Sequence, residues 1–209
     1  MDAKNELKLS GTIFEKPALS HMSGPYAIYS LKLCVERLSG NCDLLNVLAP
    51  EHVIKASNVD EGDEIEIIGQ LRSFNDRAAE YNRLKISAYA FDIKPHIGIH
   101  ENIITLSGSI CKPPIYRQTP YGREICDIML AVPRPGSVRN PSDFRRFDYI
   151  PCIMWGSVAR MCADMELRTK LTIEGRLQSR LYIKNIDGEA QSRTAYEVSA
   201  SHVELADEI

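Results

Sequence analysis

Residues Phe147 to Tyr182 read FDYIPCIMWGSVARMCADMELRTKLTIEGRLQSRLY, and the fold of the chain is read outward from them. Phe147 to Trp155 has the composition of a short strand. Ser157 to Glu166 has helical spacing, with Val158, Met161 and Met165 on one stripe and Ser157 placed as its N-cap. Lys170 to Tyr182 alternates Leu171, Ile173, Gly175 and Leu177, which predicts a long strand bent at the glycine. The stretch holds the chain's one tryptophan, Trp155, with Tyr149 six residues before it and Tyr182 at the far end. An even spacing along a strand puts Tyr149 and Trp155 on the same face.

The rest of the chain repeats this unit. Asn5-Glu-Leu-Lys-Leu-Ser-Gly11 recurs as Asn102-Ile-Ile-Thr-Leu-Ser-Gly108, an offset of 97 that also carries Pro17 to Pro114, Leu33 to Leu130 and Arg37 to Arg134. A longer hairpin at 136–146 then shifts the register. Beyond it Asp43 aligns with Asp148, Gly69-Gln-Leu71 with Gly175-Arg-Leu177, and Ile86-Ser-Ala88 with Val198-Ser-Ala200. Each copy predicts five strands and one short helix, over 6–14, 26–37, 43–49, 51–58, 63–74 and 82–93 in the first. The second predicts strands at 103–110, 124–133, 147–155, 170–182 and 194–205. Two domains follow, 1–98 and 99–209. Five strands with one helix between the third and fourth is the pattern of an OB-fold barrel, with another five-stranded barrel or sandwich as the alternative. The expected fold class is all-β: two tandem five-stranded OB-fold barrels.

Composition narrows the function classes. The chain is 44% hydrophobic and 25% charged, as in a folded protein. No apolar run approaches the ~20 residues of a membrane span and the N-terminus lacks signal-peptide character, so a cytoplasmic location is expected. The net charge is −3, but its distribution is uneven. Residues 1–99 hold four arginines and residues 100–209 hold eleven, so the second half is the better equipped for phosphate. Six cysteines stand singly, without metal-ligand spacing, and are expected to be reduced and structural. No phosphate-cradling loop, nucleophile elbow or HExxH is present, and no cofactor, metal or enzyme activity is implied.

The second copy resembles the bacterial single-stranded DNA-binding proteins along nearly its whole length. The matching pieces are Asn102 to Gly108, Tyr116-Arg-Gln-Thr-Pro-Tyr-Gly122, Leu130-Ala-Val132 with Arg134, Tyr149-Ile-Pro-Cys-Ile-Met-Trp-Gly156, Glu174-Gly-Arg-Leu-Gln-Ser-Arg180 and Tyr196-Glu-Val-Ser-Ala200. The first copy matches more loosely, through Leu9-Ser-Gly11, Arg37 and Gly69 to Asn75. A tandem arrangement of this kind is also used by primosomal replication proteins. The resemblance implies base-stacking rings at Tyr149, Trp155 and Tyr182 and a cation at Arg117. The aligned first-copy positions are Leu44, Pro50 and Asp76, none aromatic.

The residue chemistry agrees with that implication. Sequence-tolerant binding of single strands needs flat faces for bases and cations for phosphates, and each stacked base is worth about 1–3 kcal/mol. The hairpin from Arg134 to Phe147 interleaves Arg134, Arg139, Arg145 and Arg146 with two phenylalanines, a composition suited to gripping a strand. Arg180 and Lys184 would extend this basic track, Arg123 would line its other end, and Phe74 is the first copy's candidate ring.

The expected function is non-catalytic, largely sequence-independent binding of single-stranded DNA in replication, repair or recombination, centred on the second domain. A homodimer giving four OB units is expected, with replication or repair proteins as further partners and no membrane association. The alternatives are a protein–protein adaptor of a primosome or mobile-element replication complex, and a single-stranded RNA binder.

Overall fold

The computed structural model describes residues 4–76, 84–134, 147–186 and 189–205, the side chains of 184–186 and 189 excepted. The first half runs β1 (Asn5–Ser23), β2 (Tyr26–Glu36), β3 (Cys42–Pro50), α1 (Glu51–Ser57), β4 (Glu64–Asn75) and β5 (Leu84–Pro95). The second runs β6 (Asn102–Ile110), β7 (Ile115–Gln118), β8 (Glu124–Pro133), β9 (Phe147–Trp155), α2 (Gly156–Ala163), β10 (Lys170–Ile186) and β11 (Glu189–Leu205).

The chain is mostly β, with a closed five-stranded barrel and further strands, consistent with an OB-fold. β1 pairs with both β2 and β4, β2 pairs with β3, β3 runs parallel to β5, and β5 returns to β4, which closes the ring. The pairings of β6 with β8 and β10, β8 with β9, β9 parallel to β11, and β11 with β10 run in the same order. The strands alternate as their sequences predict. Leu45, Val47 and Ala49 of β3, and Ile150, Cys152 and Met154 of β9, point inward and are buried. Val53 of α1, and Ala159 and Cys162 of α2, join the same core.

Gly69 and Gly175 sit at register shifts in β4 and β10, where each strand bends against its partner. A Cβ would lie 2.1 Å from the Tyr89 carbonyl oxygen at Gly69 and 2.3 Å from that of Ser199 at Gly175. Only glycine permits that approach of two backbones.

β1 and β6 pair antiparallel, Asn5 with Leu106, Leu7 with Ile104 and Leu9 with Asn102. Leu7 and Ile104 are themselves equivalent at the offset of 97, so the seam is a two-fold arrangement inside one chain. Side chains obey the same symmetry. Asn5 makes reciprocal bonds with the backbone of Leu71, and Asn102 does so with Leu177.

Five sequence expectations are revised. Residues 115–118 form a strand, β7, pairing with β8 from Ile115↔Asp127 to Gln118↔Glu124; the flanking prolines and glycine had masked it. In α2 the residue at the N-cap is Trp155, not Ser157, and no side chain caps the helix. Its buried residues are Ala159 and Cys162, while Met161 is exposed, so the stripe is rotated from that expected. The end of the repeat also shifts: Gly69 pairs with Ala90 and Gly175 with Ala200, so Ala88 is equivalent to Val198 rather than to Ala200. Finally, Cys34 and Cys42 form a disulfide across β2 and β3, with Cα atoms 5.6 Å apart. Strand pairing brings these two thiols together, which linear spacing does not reveal. Cys111, Cys126, Cys152 and Cys162 are free. Burial raises the Cys152 thiol pKa, and raises that of Cys162 to about 11.

Candidate functional site

β9 ends at Trp155, which is 38% exposed. Its indole Nε1–H donates to Ser199 Oγ at 3.2 Å, which fixes the ring against β11. A cleft of about 390 Å³ opens beside it, and Arg117, Arg176 and Arg180 line this cleft with Arg37 of the first half. The structure thus brings together three predicted residues, Trp155, Arg117 and Arg180. Arg117 is held by a fork onto Asp127 (2.8 and 3.2 Å), and that hydrogen bonding raises its pKa. Arg180 lies 3.6 Å from Glu197 and 6.0 Å over the ring of Tyr182, extending the aromatic surface along β10.

Tyr149 is 43% exposed and stands on the same strand, outside the Trp155 cleft. Its placement depends on the first half. The Tyr149 backbone N–H donates to Ser73 Oγ at 2.7 Å, and the Ser73 N–H donates to the adjacent Asp148 at 2.6 Å. Asp148 is fully buried and also receives Arg134 through Nε (2.9 Å) and Nη2 (2.7 Å), and Arg72 through Nη1 (3.1 Å). Arg134 completes the clamp by donating to the Ser73 carbonyl at 2.8 Å. Across the two-fold, Arg37 forks onto Asp43, which accepts from the Ser179 N–H at 2.8 Å, and Arg37 donates to the Ser179 carbonyl at 3.3 Å. An arginine–aspartate pair in each half therefore grips a serine in the other.

The remaining predicted residues are distributed differently. Arg123 is exposed, and its backbone N–H donates to Thr119 Oγ1 in the β7–β8 turn, away from the cleft. Arg134 lines a cleft of the first half rather than that of Trp155. Phe74 lines the same first-half cleft and is 49% exposed. Arg139, Arg145 and Arg146 lie outside the described residues, as does the side chain of Lys184.

Sequence reasoning missed Tyr89 and Arg72. Both line the first-half cleft, about 820 Å³, and the Arg72 guanidinium lies 6.0 Å from the Tyr89 ring centre. Tyr89 is equivalent to Ser199 by strand register, Gln70↔Tyr89 matching Arg176↔Ser199. Comparing only the positions of Tyr149, Trp155 and Tyr182 overlooks a ring carried on β5. A cross-strand comparison would have found it.

Comparison with known proteins follows this geometry. The model of the Single-strand binding protein family matches residues 101–206. The single-stranded DNA-binding protein of Halalkalibacterium halodurans is 34% identical over 85 residues, which are 40% of this chain and 49% of that protein. That of Oceanobacillus iheyensis is 32% identical over 107 residues, 50% of this chain and 62% of that protein. The chain therefore spans about half the length of these relatives. The crystal structure of the wild-type single-stranded DNA binding protein from Thermus aquaticus superposes with a TM-score of 0.77 at 20% identity, covering 100% of this chain and 95% of that one, a likeness of fold. The chain belongs to the Single-strand binding protein family.

Proposed function

We propose that this protein binds single-stranded DNA without strong sequence preference, as a non-catalytic component of replication, repair or recombination in the cytoplasm. The observation that carries this reading is Trp155, a part-exposed indole pinned by Ser199 beside a cleft lined with four arginines. A pinned ring offers one face for a base at little entropic cost, and guanidinium groups beside it meet the phosphates. Family membership and the names of the relatives support the same ligand.

Residues 1–98 and 99–209 are read as two OB-fold domains with a helix after the third strand of each circuit, and two chains are read as a homodimer with four such units. Linked sites raise the effective concentration of each for one strand, which favours this assembly.

The lone tryptophan is the probe. Titration with oligo(dT) is expected to quench its fluorescence strongly, and added salt to weaken the binding. Oligo(rU) serves as the comparison for sugar preference. Absence of quenching, together with unaltered oligonucleotide retention by Trp155→Ala in a labelled-strand assay, would remove the reading. Light scattering during size exclusion tests the dimer.

A further inference from the structure

We infer that the Trp155 cleft contains a phosphate-binding site built from both halves of the chain, in which Arg176 of β10 and Arg37 after β2 hold the backbone of the strand whose base lies on Trp155. This rests on the single-strand reading above and adds the residues that would position the strand.

The argument is one of charge matching. Four guanidinium groups line the cleft, and three of them already face a carboxylate: Arg37 on Asp43, Arg117 on Asp127, and Arg180 beside Glu197. Glu197 also accepts from Gln178 Nε2 at 2.8 Å. Arg176 is exposed and has no ion-pair or hydrogen-bond partner among the described residues. Among the described residues the cleft therefore carries one positive charge in surplus, and Arg176 supplies it.

Its position is apt. Arg176 pairs across the sheet with Ser199, the residue that holds the Trp155 indole. Directly opposed residues stand about 5 Å apart at Cβ, so the guanidinium is a near neighbour of the ring. Arg37 comes from the other half. Asp43 and the Ser179 carbonyl occupy its Nε and Nη2, and its Nη1 hydrogens meet no acceptor among the described residues. An arginine anchored by one edge presents the other to a phosphate without losing side-chain entropy on binding.

Arg37 and Arg176 also line an adjoining groove of about 610 Å³ beside Gly98, Ile99 and His100, so a strand leaving Trp155 can cross the seam between the halves there. Glu36 and Glu64 line that groove as well, which confines the anionic contact to the arginine pair. In the first half two arginines, Arg72 and Arg134, share the carboxylate of Asp148, and the position equivalent to Arg176 is neutral. Gly69 matches Gly175, so the counterpart of Arg176 is the neutral Gln70.

The test uses the full chain and oligo(dT), read by Trp155 quenching at several salt concentrations. Arg176→Gln is expected to keep the quenching at saturation but to weaken affinity about tenfold at low salt. The slope of log affinity against log salt should fall by about 0.7, the loss of one phosphate contact on a single strand. Arg37→Lys, which keeps its charge on Asp43, should weaken affinity by a smaller factor. Lys55→Gln, on the exposed face of α1, serves as the control. If Arg176→Gln leaves affinity and slope unchanged while the wild-type protein is quenched, the phosphate site is wrong and the single-strand reading survives. If the wild-type protein itself shows no quenching, it is the single-strand reading that fails. An effect of Arg176→Gln with none from Arg37→Lys overturns the contribution of the first half.

Discussion

The cleft beside Trp155 and the cleft beside Tyr89 are built on equivalent strands and carry their rings on different ones. Where β9 ends in Trp155, β3 ends in Pro50; where β11 has Ser199, β5 has Tyr89. The cations move too. β10 carries Gln178 and Arg180 where β4 carries Arg72 and Phe74. Each cleft has a ring, Trp155 on β9 in one and Tyr89 on β5 in the other, so the scaffold specifies a place for an aromatic surface but not which strand provides it. The first half is thus less bare than an alignment of ring positions suggests.

The largest effect expected from pressing this comparison lies in the clamps. Asp148 is buried beneath two arginines and the Ser73 N–H, whereas Asp43 faces one arginine and Ser179. Asp148→Ala should cost about 3–5 kcal/mol in urea denaturation, because it leaves buried donors and charges unpaired. Asp43→Ala should cost less by about 1 kcal/mol. Equal losses would mean that Arg72 adds nothing to the second-half clamp.

Next comes the disulfide, which the first half has alone among the described cysteines: Cys34 and Cys42 match Ala131 and Phe147. The closed loop is short, and the chain-entropy account gives about 2–3 kcal/mol for it. Cys34→Ala with Cys42→Ala should lower the denaturation midpoint accordingly, with little change in quenching of Trp155. A large change in quenching would show that the hairpin bearing Arg37 shapes the second cleft more than its contacts suggest.

Binding by the two rings comes third. Trp155→Ala should cost about 1–3 kcal/mol in labelled oligo(dT) binding, and Tyr89→Ala less than 1 kcal/mol, since Arg72 already covers a face of that ring. The reverse order would make the first half the main binding surface.

The last effect, smaller than that of Trp155→Ala at its upper end, is a pH dependence. Burial raises the Cys152 thiol above its ordinary value of 9.0. A group protonated more readily when folded gives its stability fully below the unfolded pKa and loses it as pH rises toward the folded one. Stability should therefore fall by about 1.4 kcal/mol between pH 8 and pH 10 through this residue. Its counterpart in the first half is Val47, so Cys152→Val should reduce the slope in that range, leaving the part carried by the other raised thiols such as Cys162; an unchanged slope would assign it to other groups.

Period-2 alternation, the repeated Leu-Ser-Gly and the two bend glycines made the strands and their equivalence legible before any coordinates. Those signals are local, or repeat at a fixed offset. What stayed hidden depends on contacts across the sheet. Tyr89 becomes a site residue only because β5 lies beside β3 and β4. Arg134 looks like part of a basic loop until Asp148 and Ser73 are seen to hold it. β7 was obscured because Pro113, Pro114 and Gly122 surround four residues whose pairing with β8 outweighs the turn signal. Strands were legible in their centres and short at their ends: β1 continues to Ser23 because β2 pairs with it from Thr12 to Ser23.

The seam of β1 against β6 has a consequence for dilution. Two identical chains joined edge to edge separate as their concentration falls, and every substitution in one appears in the other. Here both edges belong to one polypeptide, so the pairing around Leu7 and Ile104 persists at any concentration. The tether also frees each side to change alone, which is how one seam can carry Trp155 on one flank and Tyr89 on the other.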